Sequence, residues 1–400
     1  MFRHFAIINA SLVFAFVITT GVVESKAGED YSGKIERIYL IHTTHTDIGF
    51  TDHPSVCRDQ QVRYLDVAID AALNTMQRPA SDRFYWTAEG TLAVNDWWQK
   101  ASLERRKDLL KVIKSGQLEI MGLAMNQQAT LSAAEWRKMT HWMPEEVWKA
   151  AAPTTAMQVD VTGMPRAGAV ALLDRGVKNL WMASNSWFCR EPFPRRKAFW
   201  WKMPDGRRLF VYLGVPYASA FTAFHDSGWR VGPVPEVAST EFRPPRPGES
   251  YPSDEAGVRA AHARALGHLK SIEKGGYDCP VLLMQDTNRW RMDNDPPVQH
   301  LADFVATWNR LKLKPQLIFT TAGPALEELK KHVGKDIPEV SGEWTEWWVN
   351  GIMSGPREVA ASRMAKRKAA ATASSAWGPI DGGTERTLDG IYRNLCLFDE

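Results

Sequence analysis

Along the chain, short apolar runs alternate with longer stretches whose apolar positions recur every three or four residues. The run "IYLIHTT" leads into "VRYLDVAIDAALNTM", "RFYWTAEG" into "AVNDWWQKASLERRKDLLKVIKSG", and "QLEIMGLA" into "SAAEWRKMTHWMPEEVWKAA". The same exchange follows with "AMQVDV" and "RAGAVALLDRG", and then "NLWMAS". Period two giving way to period 3.6 predicts repeated βα units on a mostly parallel sheet. Pattern alone leaves a barrel and a doubly wound sheet both open, although no dinucleotide-type glycine fingerprint is present.

Residues 231–253, "VGPVPEVASTEFRPPRPGESYPS", are too rich in proline and glycine for a regular core element and predict a long loop near the functional face. Regularity resumes with the helix "AGVRAAHARALGHLKSIEKGG", the strand "CPVLLMQDT", the helix "PPVQHLADFVATWNRL" and the strand "PQLIFTT". After Lys335 come "IPEVSGEWTEWWVNG" and a basic, alanine-rich helix from about Pro356 to Ser375.

Composition narrows the choice of function. The 400 residues are 44% hydrophobic and 24% charged, enough for a large core. A net charge of +3 with interspersed signs lacks the concentrated positive field a phosphate backbone requires, which argues against nucleic acid. The seventeen tryptophans divide between core filling, the larger share, and flat platforms suited to the apolar faces of sugar rings.

The N-terminus combines a short basic start, an apolar run from Phe5 to Val23 and small residues at Ser25 and Ala27. This predicts a signal peptide, residues 1–27, and an exported (periplasmic or secreted) product with no membrane association after cleavage; an uncleaved anchor is the alternative. Cys57, Cys189, Cys279 and Cys396 form no CxxC pair, so a zinc ribbon is disfavoured and disulfide pairing stays open.

The chemistry concentrates at predicted strand ends. In "LIHTTHTDIGFTD", His45 and Asp47 stand at i and i+2 and share a strand face, whereas His42 falls on the other face and reads as a structural histidine. One imidazole and one carboxylate suit Zn²⁺, but the same pair is an ordinary polar strand end. Asp160 in "AMQVDVTG" and Asp286 in "VLLMQDTNRW" also follow apolar runs. Taken singly, each could be a helix cap or turn residue. Together they suggest a converging pocket with the paired carboxylates of glycoside hydrolysis.

These stretches, in series with "FYWTAEGTLAVNDWW", "GQLEIMGLAMNQQATL" and "GEWTEWWVNGIMSGPREVAASRMAKR", resemble the N-terminal catalytic region of glycoside hydrolase family 38, the α-mannosidases, and especially a divergent bacterial branch. The resemblance runs from about Ile35 to the end of the chain. It implies an α/β fold built as a seven-stranded β/α barrel of the glycoside hydrolase/deacetylase type over residues 34–335. It also implies the start of a helical domain at 336–400, a zinc ion and a glycan substrate. By the same resemblance, His45, Asp47 and Asp160 match zinc ligands, Asp160 doubling as nucleophile, and Phe50 matches an aromatic under the sugar. Asp286 is the acid/base candidate. Because "MQDTNRW" departs from the family's acidic pair, Asp293 is the alternative. Trp86, Glu89, Trp344, Trp347 and Trp348 are further substrate-contact candidates or packing residues.

In the resembled branch a phrase like "NLCLFDE" is followed by a histidine that supplies a fourth zinc ligand. The chain given ends at Glu400, which predicts a truncated helical domain and weakened zinc binding and activity. Two rival readings keep the fold: a secreted carbohydrate-binding relative with an incomplete metal site, and a zinc-dependent carbohydrate deacetylase.

Overall fold

The computed structural model describes residues 31–398 apart from 50, 162, 186–192, 216, 218, 226–250, 288–293, 334–336, 346–354 and 375–380. The first half alternates β1 (Arg37–His42), α1 (Pro54–Thr75), β2 (Trp86–Ala88), α2 (Thr91–Lys100) and α3 (Leu103–Lys114). It continues with β3 (Leu118–Ile120), α4 (Ala133–Met139), α5 (Glu145–Ala151), β4 (Thr155–Asp160), the two-residue β5 (Gly163–Met164), α6 (Arg166–Asp174) and β6 (Asn179–Ser184). Then follow β7 (Ala198–Lys202), β8 (Arg208–Leu213), α7 (Ser219–Phe224), α8 (Glu255–Lys274), β9 (Val281–Asp286), α9 (Leu301–Arg310), β10 (Gln316–Thr320) and α10 (Ala322–His332). The last elements are β11 (Glu339–Ser341), β12 (Trp344–Thr345), α11 (Pro356–Ala373) and α12 (Gly382–Phe398).

Local chemistry accounts for several boundaries. Two stretches that read as single amphipathic runs are each broken in two. Ser102 caps α3 by accepting from the Arg105 amide, which separates it from α2, and Pro144 stands between α4 and α5. Ser132 and Glu135 close a capping box at the start of α4.

The parallel strands form three ladders, in the orders β9–β1–β10, β2–β3 and β4–β6–β8, with β7 added antiparallel to β8. Isolated bonds, two of them backbone-donated at the strand ends, join the ladders. The Gly122 amide beyond β3 donates to the Thr155 carbonyl of β4 at 2.8 Å, and the Ala322 amide beyond β10 donates to the Thr87 hydroxyl of β2 at 3.2 Å. Regular pairing among the described residues stops at these borders, so the hydrogen bonding shows three ladders and not one continuous seven-stranded sheet.

All six residues of β6 and of β9 are buried, as strands covered on both faces must be. One large core joins the ladders to the helices, and Trp97, Trp136, Trp181, Trp201 and Trp308 are sealed within it. These tryptophans are packing residues. Beyond the expected boundary at residue 335 the chain returns to pair with earlier strands, β11 with β7 and β12 with β5 in a two-stranded sheet of their own. Helix α12 also reaches back, its Cys396 carbonyl accepting from Gln127 at 2.8 Å. Cys57, Cys279 and Cys396 are free thiols, and Cys189 lies outside the described residues.

Candidate metal centre and active site

The C-terminal ends of the parallel strands point the following residues toward one region, the usual site of α/β enzymes. Strand β1 ends at His42, so His45 and Asp47 lie in the irregular segment beyond it. Ligand atoms of His45, Asp47 and Asp160 all fall within 4.8 Å of one another, although Asp160 comes from a different ladder. His45 and Asp47 are buried and Asp160 is half-buried.

Each is held by neighbours. His45 Nδ1 stands 3.1 Å from Glu89 Oε1 and 3.3 Å from Oε2. Facing two carboxylate oxygens, Nδ1 carries a hydrogen, while Nε2 lies 3.3 Å from Asp47 Oδ1. Two lone pairs face each other unless a proton or a cation lies between them. Zinc ligands at about 2.1 Å in a tetrahedral arrangement are separated by roughly 3.4 Å, so this pair already has a suitable spacing. One imidazole and two carboxylates are a fitting donor set for Zn²⁺.

Asp47 Oδ2 accepts from Thr51 Oγ1 at 2.7 Å and from Asn294 Nδ2 at 2.6 Å, while the Asp47 amide donates to Asn294 Oδ1 at 3.2 Å. Tyr64 in turn donates to the Asn294 carbonyl at 3.0 Å. Burial works to raise the Asp47 carboxyl, but hydrogen bonding with His45, the charge of His45 and the Thr51 and Asn294 donors outweigh it and hold the group down at about 2. His45 shows the opposite balance. Burial lowers it, yet the Glu89 carboxylate beside it, with Asp47, raises it well above the ordinary imidazole range.

Asp160 closes β4 with a backbone φ of 72°, in the left-handed region, and the Val161 amide donates back to the Val159 carbonyl at 2.9 Å. The residue therefore sits at the centre of a γ-turn, a strained conformation for a side chain with a Cβ. Its Oδ1 accepts from the Tyr217 hydroxyl and from Asn185 Nδ2 at 2.9 Å. The Tyr217 ring also lies 5.4 Å from the His45 ring, centroid to centroid.

Other residues singled out in the sequence are placed elsewhere. Asp286 is completely buried and is not among the three grouped ligands. Its Oδ1 accepts from the Tyr251 hydroxyl, and its Oδ2 lies 3.0 Å from His42 Nδ1. His42 Nδ1 is also 3.1 Å from the Asp286 carbonyl, and Nε2 accepts from the Val298 amide at 2.7 Å, so His42 is used up inside the fold. Trp86 is 2% exposed and meets the His42 ring edge-on at 4.9 Å. Trp344 packs against Phe199 and Trp201. Glu89 is 5% exposed and binds His45, not an open surface. Phe50, Asp293, Trp347 and Trp348 lie outside the described residues. Sequence reasoning missed Asn126, Asn185, Tyr217 and Asn294; Asn126 and Asn185 follow predicted strand ends and Asn294 borders two acids, whereas Tyr217 carried no such signal.

The profile of the glycosyl hydrolases family 38 N-terminal domain matches residues 36–343. A probable alpha-mannosidase of Arabidopsis thaliana is 28% identical over 135 residues, 30% of this chain and 13% of that protein. Alpha-mannosidase 2 of the same plant is 22% identical over 213 residues, covering 50% and 17% respectively. Two solved structures from Enterococcus faecalis share the fold. One is an alpha-mannosidase with TM-score 0.54 and 15% identity, covering 77% of this chain and 31% of that one. The other is a glycosyl hydrolase family 38 protein with TM-score 0.55 and 14% identity, covering 91% and 36%. This chain thus spans about a third or less of the relatives' lengths. With a family profile matched over most of its length, a fold shared with solved members and an acid-rich site at its strand ends, the chain belongs to glycosyl hydrolase family 38 and carries its N-terminal domain.

Proposed function

We propose that the protein is an exported, zinc-dependent, exo-acting glycoside hydrolase of α-mannosidase type that works with retention of configuration. The observation that carries this reading is the convergence of His45, Asp47 and Asp160 within 4.8 Å. We take the three ladders as arcs of one barrel whose C-terminal mouth holds that group. Zinc bound there supplies a Lewis acid for adjacent hydroxyls of the terminal sugar.

The chain's own residues do the rest. Asp160 attacks the anomeric carbon as the bond to the departing oxygen breaks, giving a glycosyl-aspartate ester; a second carboxyl group protonates that oxygen and later takes a proton from the water that cleaves the ester. Tyr217 and Asn185, donating to Asp160 Oδ1, fix the direction of attack. Thr51 and Asn294 hold Asp47. With Asp286 engaged by Tyr251 and His42, Asp293 becomes the acid/base to test first.

Hydrolysis of an aryl α-mannoside, followed by NMR before the product mutarotates, tests the reading. We expect the α-anomer first, loss of turnover on chelation, and no turnover in Asp160→Ala. Release of the β-anomer first, or undiminished turnover in Asp160→Ala, overturns it.

A further inference from the structure

Glu89 is surrounded only by donors. Its Oε1 lies 3.1 Å from His45 Nδ1 and accepts from Asn126 Nδ2 at 3.2 Å; its Oε2 accepts from the Thr46 amide at 2.8 Å. The same Asn126 uses its other end, Oδ1, to accept from the Val159 amide at 2.8 Å, one residue before Asp160. Asn126 is 1% and Glu89 5% exposed, so water does not compete for these bonds.

We propose that Glu89, locked by Asn126, is the positioning residue that holds His45 in its metal-binding tautomer and ties the His45 segment to the Asp160 turn. The proposal rests on the metal reading above. It requires a carboxylate: every partner of Glu89 donates, and both oxygens are used, so a glutamine would place its own N–H₂ against either the Thr46 amide or the His45 and Asn126 donors. Outer carboxylates of this kind orient a ligating imidazole, and their loss typically costs 10–100-fold in metal affinity. Here the carboxylate does a second task. Through Asn126 it links the ends of two ladders, so that the spacing between His45 and Asp160 is set before a metal arrives.

The test compares wild type, Glu89→Gln and Asn126→Ala by zinc titration against a chromophoric chelator, by the cobalt(II) absorption spectrum and by melting of the metal-free proteins. We expect zinc affinity to fall about 10–100-fold in Glu89→Gln and by a smaller factor in Asn126→Ala. The cobalt bands should change in both while metal-free melting still shows a folded protein. Equal affinity and an unchanged cobalt spectrum in Asn126→Ala and Glu89→Gln overturn the positioning role and leave the metal reading standing. Failure of wild type itself to bind zinc or cobalt overturns the metal reading, and this inference with it. Should Glu89→Gln not fold, Asn126→Ala decides: wild-type zinc affinity and cobalt bands in that variant overturn the role.

Discussion

Asp286 and His42, partners across the β1–β9 ladder, also meet through their side chains, with 3.0 Å between Oδ2 and Nδ1. That contact lies in the core, and Tyr251 closes the other side of the carboxylate. We therefore expect Asp286→Asn to lower stability by about 1–3 kcal/mol, the usual consequence of mispairing one buried polar group. Any loss of rate should not be restored by azide, an anionic nucleophile that needs no general base to displace the aspartyl ester and so rescues acid/base variants of retaining enzymes. Thermal denaturation and azide rescue check both points, and rescue of Asp286→Asn would return the acid/base role to this residue.

Asp160 provides a test of backbone strain. At φ 72° a Cβ is unwelcome and glycine is at ease. Between two variants that both lack the carboxylate, Asp160→Gly should be more stable than Asp160→Ala by about 1–2 kcal/mol, the reverse of the order found in ordinary backbone. Chemical denaturation of the pair measures it. Alanine equal to or better than glycine would mean that the turn stores no strain.

The alternation of short apolar and amphipathic runs carried most of the fold, because burial on both faces of a parallel strand leaves a plain pattern, as in β6 and β9. The site was less legible. His45 and Asp47 stand together beyond the end of β1, so shared strand face was the wrong reason for pairing them; Glu89 and Asn294 pin them instead. Neutral residues such as Asn126 and Asn294 carry no spacing signal, since their partners stand far off in the sequence. Asp286 shows a further reason: an acid after an apolar run looks the same whether it faces a cleft or, as here, contacts a buried tyrosine and histidine.

His268, on α8, bears on the pH range of the fold. Its Nε2 is buried without a hydrogen-bond partner among the described residues, and burial, aided by the Arg196 cation, depresses the imidazole from 6.5 to about 4. The unfolded chain takes up this proton near 6.5 and the folded protein only near 4, so the contribution is present above the upper value and lost as pH falls between the two. The loss is on the order of 2–3 kcal/mol. His268→Leu should flatten that part of the stability curve, measured by urea denaturation at pH 7, 5.5 and 4.5. An unchanged slope would remove His268 as a source of acid sensitivity.

Strand β1 is the first strand among the described residues, yet its neighbours begin only at Val281 and Gln316. During synthesis it leaves the ribosome with both edges unpaired and an apolar surface on each face, and it stays so until most of the chain has followed. Both edges must be guarded through that interval, by transient association with nearby helices or by a chaperone. Because His45 and Asp47 follow directly on that strand, the grouping of these two residues with Asp160 is among the last features of the molecule to assume its form.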